Sequence, residues 1–188
     1  MKSHKTVKFS FWILSIVFLA GATQAQTSAI GVIDIQTVLK SSAAARSIRP
    51  QMDQLKQKYE KKFRKAETKL RRLKQDLRRE RAVLPEGYPE RFKAFQRRVR
   101  EKQREIQTVN RLIDRAFANS MRKVNQALRD ITMEVAQERL LQFVLPKRSL
   151  IFYDKQFDIT KIVSERLNKR LSKVLVVMPK IRQKPAKK

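Results

Sequence analysis

The sequence predicts a mainly helical protein: a long antiparallel helical hairpin, coiled-coil-like, standing on a small body of short strands. Three observations predict it. Residues 43–84 and 90–141 each carry one apolar stripe at helical spacing. The five residues Pro85-Glu86-Gly87-Tyr88-Pro89 interrupt the two patterns. Short apolar runs rich in branched residues flank the pair, at 29–34 and 142–153.

The chain opens with residues that do not belong to this fold. Lys2, Lys5 and Lys8 precede the apolar run Phe9 to Ala20, and Ala20, Ala22 and Ala25 follow. A basic start, a short apolar stretch and small residues are the order of a secretory signal. The run is shorter than the ~20 residues that span a bilayer. Residues 1–25 therefore read as a cleaved signal peptide, cut after Ala22 or Ala25, with a single N-terminal anchor or a buried helix as the alternative. Cleavage removes three lysines and no acids, taking the formal charge from +28 to +25.

Residues 26–42 and 140–175 are expected to form the body. Ala29 to Asp34 reads as a strand, and a short helix follows from about Ile35 to Lys40. The first long helix then carries Ile48, Met52, Leu55, Tyr59, Phe63, Ala66, Leu70, Leu73, Leu77 and Leu84. That stripe covers 36 residues in ten turns, or 3.6 per turn. Pro85 restricts Leu84 and lacks a backbone donor, so the helix ends there. Gly87 is free to take positive φ, and Pro89 suits the first turn of a new helix. The second helix shows Phe92, Phe95, Val99, Ile106, Val109, Ile113, Phe117, Met121, Val124, Leu128, Ile131 and Val135, with Lys102-Gln103 as a polar gap. Two such helices joined by five residues fold back on each other, forming an arm over 43–139 on the order of 60 to 70 Å long.

Beyond the arm, Gln142–Leu145 and Ser149–Tyr153 read as two further strands. Asp158 or Thr160 starts a helix that runs to about Leu171, with Ile159, Ile162, Val163, Leu167 and Leu171 on one face. Val174 to Met178 fits a helix extension or another strand. Residues 176–188 read as a basic, disordered tail. The hairpin returns residue 141 to residue 43, so the two ends of the chain meet. A body of about 60 residues is a marginal core, and sharing it between several chains is the natural remedy.

Composition excludes much chemistry. There is no cysteine, and the single histidine, His4, sits in the predicted signal. The commonest metal ligands and the usual general base are therefore missing from the exported chain. Glycines at 31 and 87 cannot write either glycine-rich phosphate loop. No catalytic, cofactor or metal residue is assigned, and the chain is read as no enzyme. Asp34 reads as a strand-end cap or an interface bond. An acid–base pair with Asp154 or Asp158 is a remote third option, because loop and helix starts usually make carboxylates caps.

The series Ile30-Gly31-Val32-Ile33-Asp34-Ile35-Gln36, a long basic hairpin, Phe143-Val144-Leu145, Leu150-Ile151-Phe152-Tyr153 and Asp158-Ile159-Thr160 resembles the Skp/OmpH family of periplasmic chaperones. The resemblance covers about residues 29–172. It implies a homotrimer whose arms hang from a shared β-body around a cavity. It also implies that unfolded outer-membrane proteins are held in that cavity in the periplasm without ATP or another cofactor. Two departures stand out: the strong basicity, and the extension at 173–188.

Between Lys56 and Arg111 stand 21 Lys/Arg against eight Asp/Glu, a net of +13. Such a field attracts acidic partners and keeps neighbouring arms apart. Any single one of these cations reads best as part of a solvated face, whereas the block exceeds what solubility needs. Tyr88, Phe92 and Phe95, at the end of the seam, are the apolar candidates for client contact. Arg71, Arg72, Arg78, Arg79, Arg97 and Arg98 are the charged candidates. Ile30, Val32, Ile33, Val144, Ile151 and Phe152 are assigned to core and oligomer interface. Lipopolysaccharide or anionic phospholipid is a further partner class that the basic arms suit. Nucleic acid is the weaker alternative. An exported protein rarely meets it, and the cations surround both helices rather than forming one groove-reading face.

Overall fold

The computed structural model describes residues 29–83 and 86–180. Residues 1–28 (the predicted signal and the first three residues assigned to the body), Leu84, Pro85 and residues 181–188 lie outside the described residues.

The chain runs β1 (Ile30–Ile33), α1 (Ile35–Ser41), α2 (Ala43–Val83), α3 (Tyr88–Glu138), β2 (Phe143–Pro146) and α4 (Thr160–Arg170). Asp34 ends β1 and caps α1, its carboxylate accepting from the Thr37 N–H at 3.0 Å. Ser42 separates α1 from α2 with an extended ψ of 120°, and its hydroxyl accepts from Ala45 N–H at 3.3 Å. Asn168 on α4 receives the Ala43 N–H at 2.7 Å, so the last helix caps the first turn of the arm.

At 1.5 Å per residue, α2 is about 61 Å long and α3 about 76 Å. Lys62 pairs with Glu105 and Glu80 with Arg91, so the partner on α3 advances as the position on α2 retreats. The two helices are antiparallel, as predicted. Burial is unequal along them. Ile48, Met52, Val109, Ile113, Val124, Leu128, Ile131 and Val135 are buried at the root. From Leu55 to Leu73 the α2 stripe is only half-buried, and Ile106 is exposed. Pro50 lies within α2 and leaves the Arg46 carbonyl without its intrahelical donor. Gly87 departs from expectation: its φ is −85°, and α3 starts at Tyr88 with Pro89 in its first turn.

The helix α3 stops in a Schellman turn. Leu141 N–H donates to Ala136 O at 2.8 Å, Leu140 N–H to Gln137 O at 3.1 Å, and Leu140 takes φ 54°. The chain then enters β2, which pairs parallel to β1 in the register Ile30↔Phe143 through Ile33↔Pro146. Gly31 permits close packing here, since a Cβ would stand 2.7 Å from Leu141 Cδ1. The expected strand at Ser149–Tyr153 does not form. A turn of 3₁₀ helix occupies Lys147–Ser149, and the residues after it find no strand partner among the described residues. An isolated bridge joins Val32 to Asp158 instead. Asp158 accepts from Thr160 N–H at 2.8 Å and from the Tyr153 hydroxyl at 3.0 Å. Thr160 in turn accepts from Asp34 N–H at 2.9 Å, tying α4 to β1.

On α4, Ile159, Val163 and Leu167 are buried against the arm root. Arg166 grips Glu138 and Arg170 grips Glu134, each through two bonds of 2.6–2.7 Å. After Leu171 the chain is neither helix nor paired strand. It forms a strap along the arm root. Val174 is buried, and Val176 and Met178 pack on the core. The tail read as starting at 176 is thus in contact with the arm as far as the described residues go. The reason is its apolar alternation, which side chains on α2 receive.

Candidate functional site

The outer half of the arm combines a half-covered apolar floor with charged walls. Nearer the body, a groove of about 350 Å³ runs along Phe63, Leu70, Val99 and Ile106, bordered by Arg64 and Lys102 and by Glu60 and Glu67. Toward the tip, a second of about 470 Å³ is floored by Ala66, Leu70 and Leu73 and walled by Lys69, Arg72, Arg98 and Lys102, with Asp76 and Glu101 among them. Their origin is local. The apolar stripe of α3 skips a step at Lys102-Gln103, so the side chains opposite on α2 are only half-covered. The gap is visible in the sequence, but the groove depends on how the two helices face each other.

The tip brings the three aromatic candidates together. Tyr88 and Phe92 stack at 5.6 Å between ring centroids, and Phe92 and Phe95 at 6.5 Å. Steps of four and three place them on one face of α3. The Arg81 guanidinium lies 5.6 Å from the Tyr88 ring centre. Phe92 is 37% exposed, while Tyr88 and Phe95 are half-buried. The arginine candidates are dispersed rather than gathered. Arg71 pairs with Glu67 at 2.7 Å along its own helix. Arg72 and Arg98 face the outer groove. Arg78, Arg79 and Arg97 are exposed and make no ion pair among the described residues.

Five of the eight acids between Lys56 and Arg111 (Glu60, Glu67, Glu80, Glu90 and Glu105) are engaged in ion pairs. Glu105 sits between Lys102 and Lys62, whose bonds hold its carboxyl below the usual glutamate range. Lys62 is raised in turn by Glu105. Neutralisation is therefore local, and most of the positive charge of the arm faces solvent unbalanced.

In the body, Val32 and Ile33 are buried, and Ile30 and Val144 half-buried. Ile151 and Phe152 belong to no core of the single chain. They are 108% and 86% exposed, because the strand expected to carry them has no partner there. Phe143 and Leu140 are exposed beside them in the chain. Asp34 and Asp158 serve as caps. The Thr37 N–H lowers the Asp34 carboxyl. Burial pushes Asp158 up, but the bonds from Thr160 and Tyr153 outweigh it and hold it low. Among the described residues no helix is long and apolar enough to cross a membrane.

Comparison with known proteins gives a family and a fold. The family model described as outer membrane protein (OmpH-like) matches residues 29–167. The crystal structure of an OmpH-like protein from Caulobacter crescentus CB15, described as a candidate outer membrane chaperone, superposes with a TM-score of 0.75. The two are 14% identical, and the likeness covers 89% of this chain and 100% of the other. No curated protein matches the chain.

Proposed function

The chain belongs to the OmpH-like outer membrane protein family, and on that premise we propose that it is a periplasmic holdase chaperone for unfolded outer-membrane proteins. The observation that carries this reading is the outer arm, where a half-covered apolar floor lies among cations, of which Lys69, Arg72 and Arg98 make no ion pair among the described residues. Apolar segments of a client meet the floor, and its carboxylates meet the walls. Each contact is shallow and solvent-screened, so many together hold a chain that any one would release. Release then needs no nucleotide.

Several features support the finer points. The order of Lys2, Lys5, Lys8, the apolar run and the alanines up to Ala25 supports export by a cleaved signal. Exposed Phe143, Ile151 and Phe152 support a body completed by other copies of the chain, a trimer on the family pattern. Like charge on the arms of such a trimer keeps them splayed, leaving a cavity for clients of different size.

The test is suppression of aggregation. The exported form, titrated against an unfolded outer-membrane barrel, will prevent light scattering at equimolar trimer and fail at substoichiometric trimer. Failure at every ratio would reject the reading. Deleting residues 56–111 will leave the trimer mass unchanged and abolish holding, whereas monomers from that variant would break the division into body and arm.

A further inference from the structure

We propose that the groove between the C-terminal strap and α3 is a second client site, one that takes an extended segment of alternating apolar residues bearing carboxylates. It deepens the holdase reading and rests on it.

The strap after α4 is pinned along one edge. Ser47 Oγ accepts from the Val174 N–H at 3.1 Å. Gln51 donates to the Val174 carbonyl at 2.8 Å and accepts from the Val176 N–H at 3.1 Å. Both partners lie on α2, so the even-numbered residues face the arm with side chain and backbone alike. Extended chain alternates. Leu175 and Val177 accordingly turn outward, each 65% exposed. Their N–H groups make no hydrogen bond among the described residues.

That outward edge is one wall of a groove of about 390 Å³. Leu175, Val177 and Pro179 form the apolar side, and Asn119, Arg122, Lys123 and Gln126 of α3 form the polar side. Arg122 and Lys123 are exposed and in no ion pair among the described residues. An unpaired strand edge is a template for another strand, with main-chain bonds giving affinity and alternate side chains giving selectivity. Here the free amides meet backbone carbonyls, Leu175 and Val177 meet alternate apolar side chains, and the two cations select carboxylates.

Charge decides the occupant. The chain continues past Lys180 with Arg182, Lys184, Lys187 and Lys188 and no acid, so its own tail is repelled by Arg122 and Lys123. The same basic tail on a second copy brings the same sign to the groove and is disfavoured in the same way. An unfolded barrel strand with aspartates has the matching period and the opposite sign.

The probe is a fluorescein-labelled peptide of about ten residues, one barrel strand long, alternating valine with threonine and aspartate. It is titrated against the intact exported chain. Arg122→Glu with Lys123→Glu, and separately Leu175→Ser with Val177→Ser, will each weaken binding about tenfold, as will replacing aspartate by lysine in the peptide. Peptide affinity unchanged in both variants would overturn the groove. So would a change in trimer mass on either substitution, since the face would then be a contact between copies. The holdase reading is scored separately, by wild-type suppression of barrel aggregation. A wild type that holds the barrel while the variants bind peptide normally sinks the groove alone; a wild type that does not hold it sinks the reading beneath.

Discussion

The two halves of the arm are built from the same residue types at the same spacing, yet one is dry and the other open. At the root, α2 and α3 are joined by a third layer: α1 and α4 pack on them, and the strap closes the remaining side. Ile48, Ile131 and Val135 are excluded from solvent there. Beyond Leu55 only two helices remain, and each stripe has one partner. A two-helix seam covers most of its side chains on one side only, so Tyr59, Phe63, Leu70 and Leu73 stay half-buried, while Leu77 near the tip is a buried exception. Position along the rod, not composition, decides whether a leucine stabilises the fold or is available to another molecule.

Substitution at matched positions breaks or sharpens that contrast. Ile131→Ala empties a site that is fully enclosed, and will cost about 3 kcal/mol, read as a cooperative loss of the whole thermal transition. Leu70→Ala in the outer half will cost less than about 1.5 kcal/mol, because the site is already partly wet. Hydrogen exchange should then rise only in the outer arm. Equal global costs would show the arm to be one cooperative rod and would remove the basis for a soft outer half.

A smaller effect concerns where the rod leaves the body. Leu140 holds φ 54° at the end of α3 while its side chain is 82% exposed, so it gains little packing for an unfavourable conformation. Leu140→Gly will stabilise the chain by about 1 kcal/mol through the Schellman turn. Its melting temperature should rise with helicity unchanged. A fall instead would mean that the exposed leucine is covered in the assembled body.

What the sequence made legible follows the same division. The long helices were readable because period 3.6 repeats over dozens of residues, and the reversal because Pro85 and Pro89 bracket it. The body was less so. Leu150 to Tyr153 has strand composition, but a strand needs a partner, and none stands among the described residues. The strap was unreadable for a different reason. Val174 and Val176 depend on Ser47 and Gln51, more than 120 residues earlier, and no local pattern announces such partners. At the tip, the stacking of Tyr88, Phe92 and Phe95 was implicit in their spacing. The dispersal of the arginines was equally implicit, since doublets place neighbouring side chains on diverging directions of a helix.

The smallest expected effect lies in the charges that bind α4 to the root. The bonds from Arg170 and Arg166 hold Glu134 and Glu138 below the usual glutamate range. A carboxyl depressed by folding binds fewer protons native than unfolded, so its contribution is complete above the unfolded value and fades as pH falls through the folded one. Neutral and mildly acidic solution should therefore leave α4 docked, and loosening should begin only below the ordinary glutamate range. Both pairs are solvent-exposed, which makes the effect slight. It should appear as faster exchange of the α4 amides rather than as lost global stability. Glu134→Gln with Glu138→Gln should reproduce it at neutral pH and abolish its pH dependence. Because Val163 and Leu167 remain buried in that variant, α4 should stay in place. Undocking of α4 on removing two surface charges would instead mean that the dry root is held by ion pairs rather than by apolar burial, and the contrast with the outer arm would have to be drawn elsewhere.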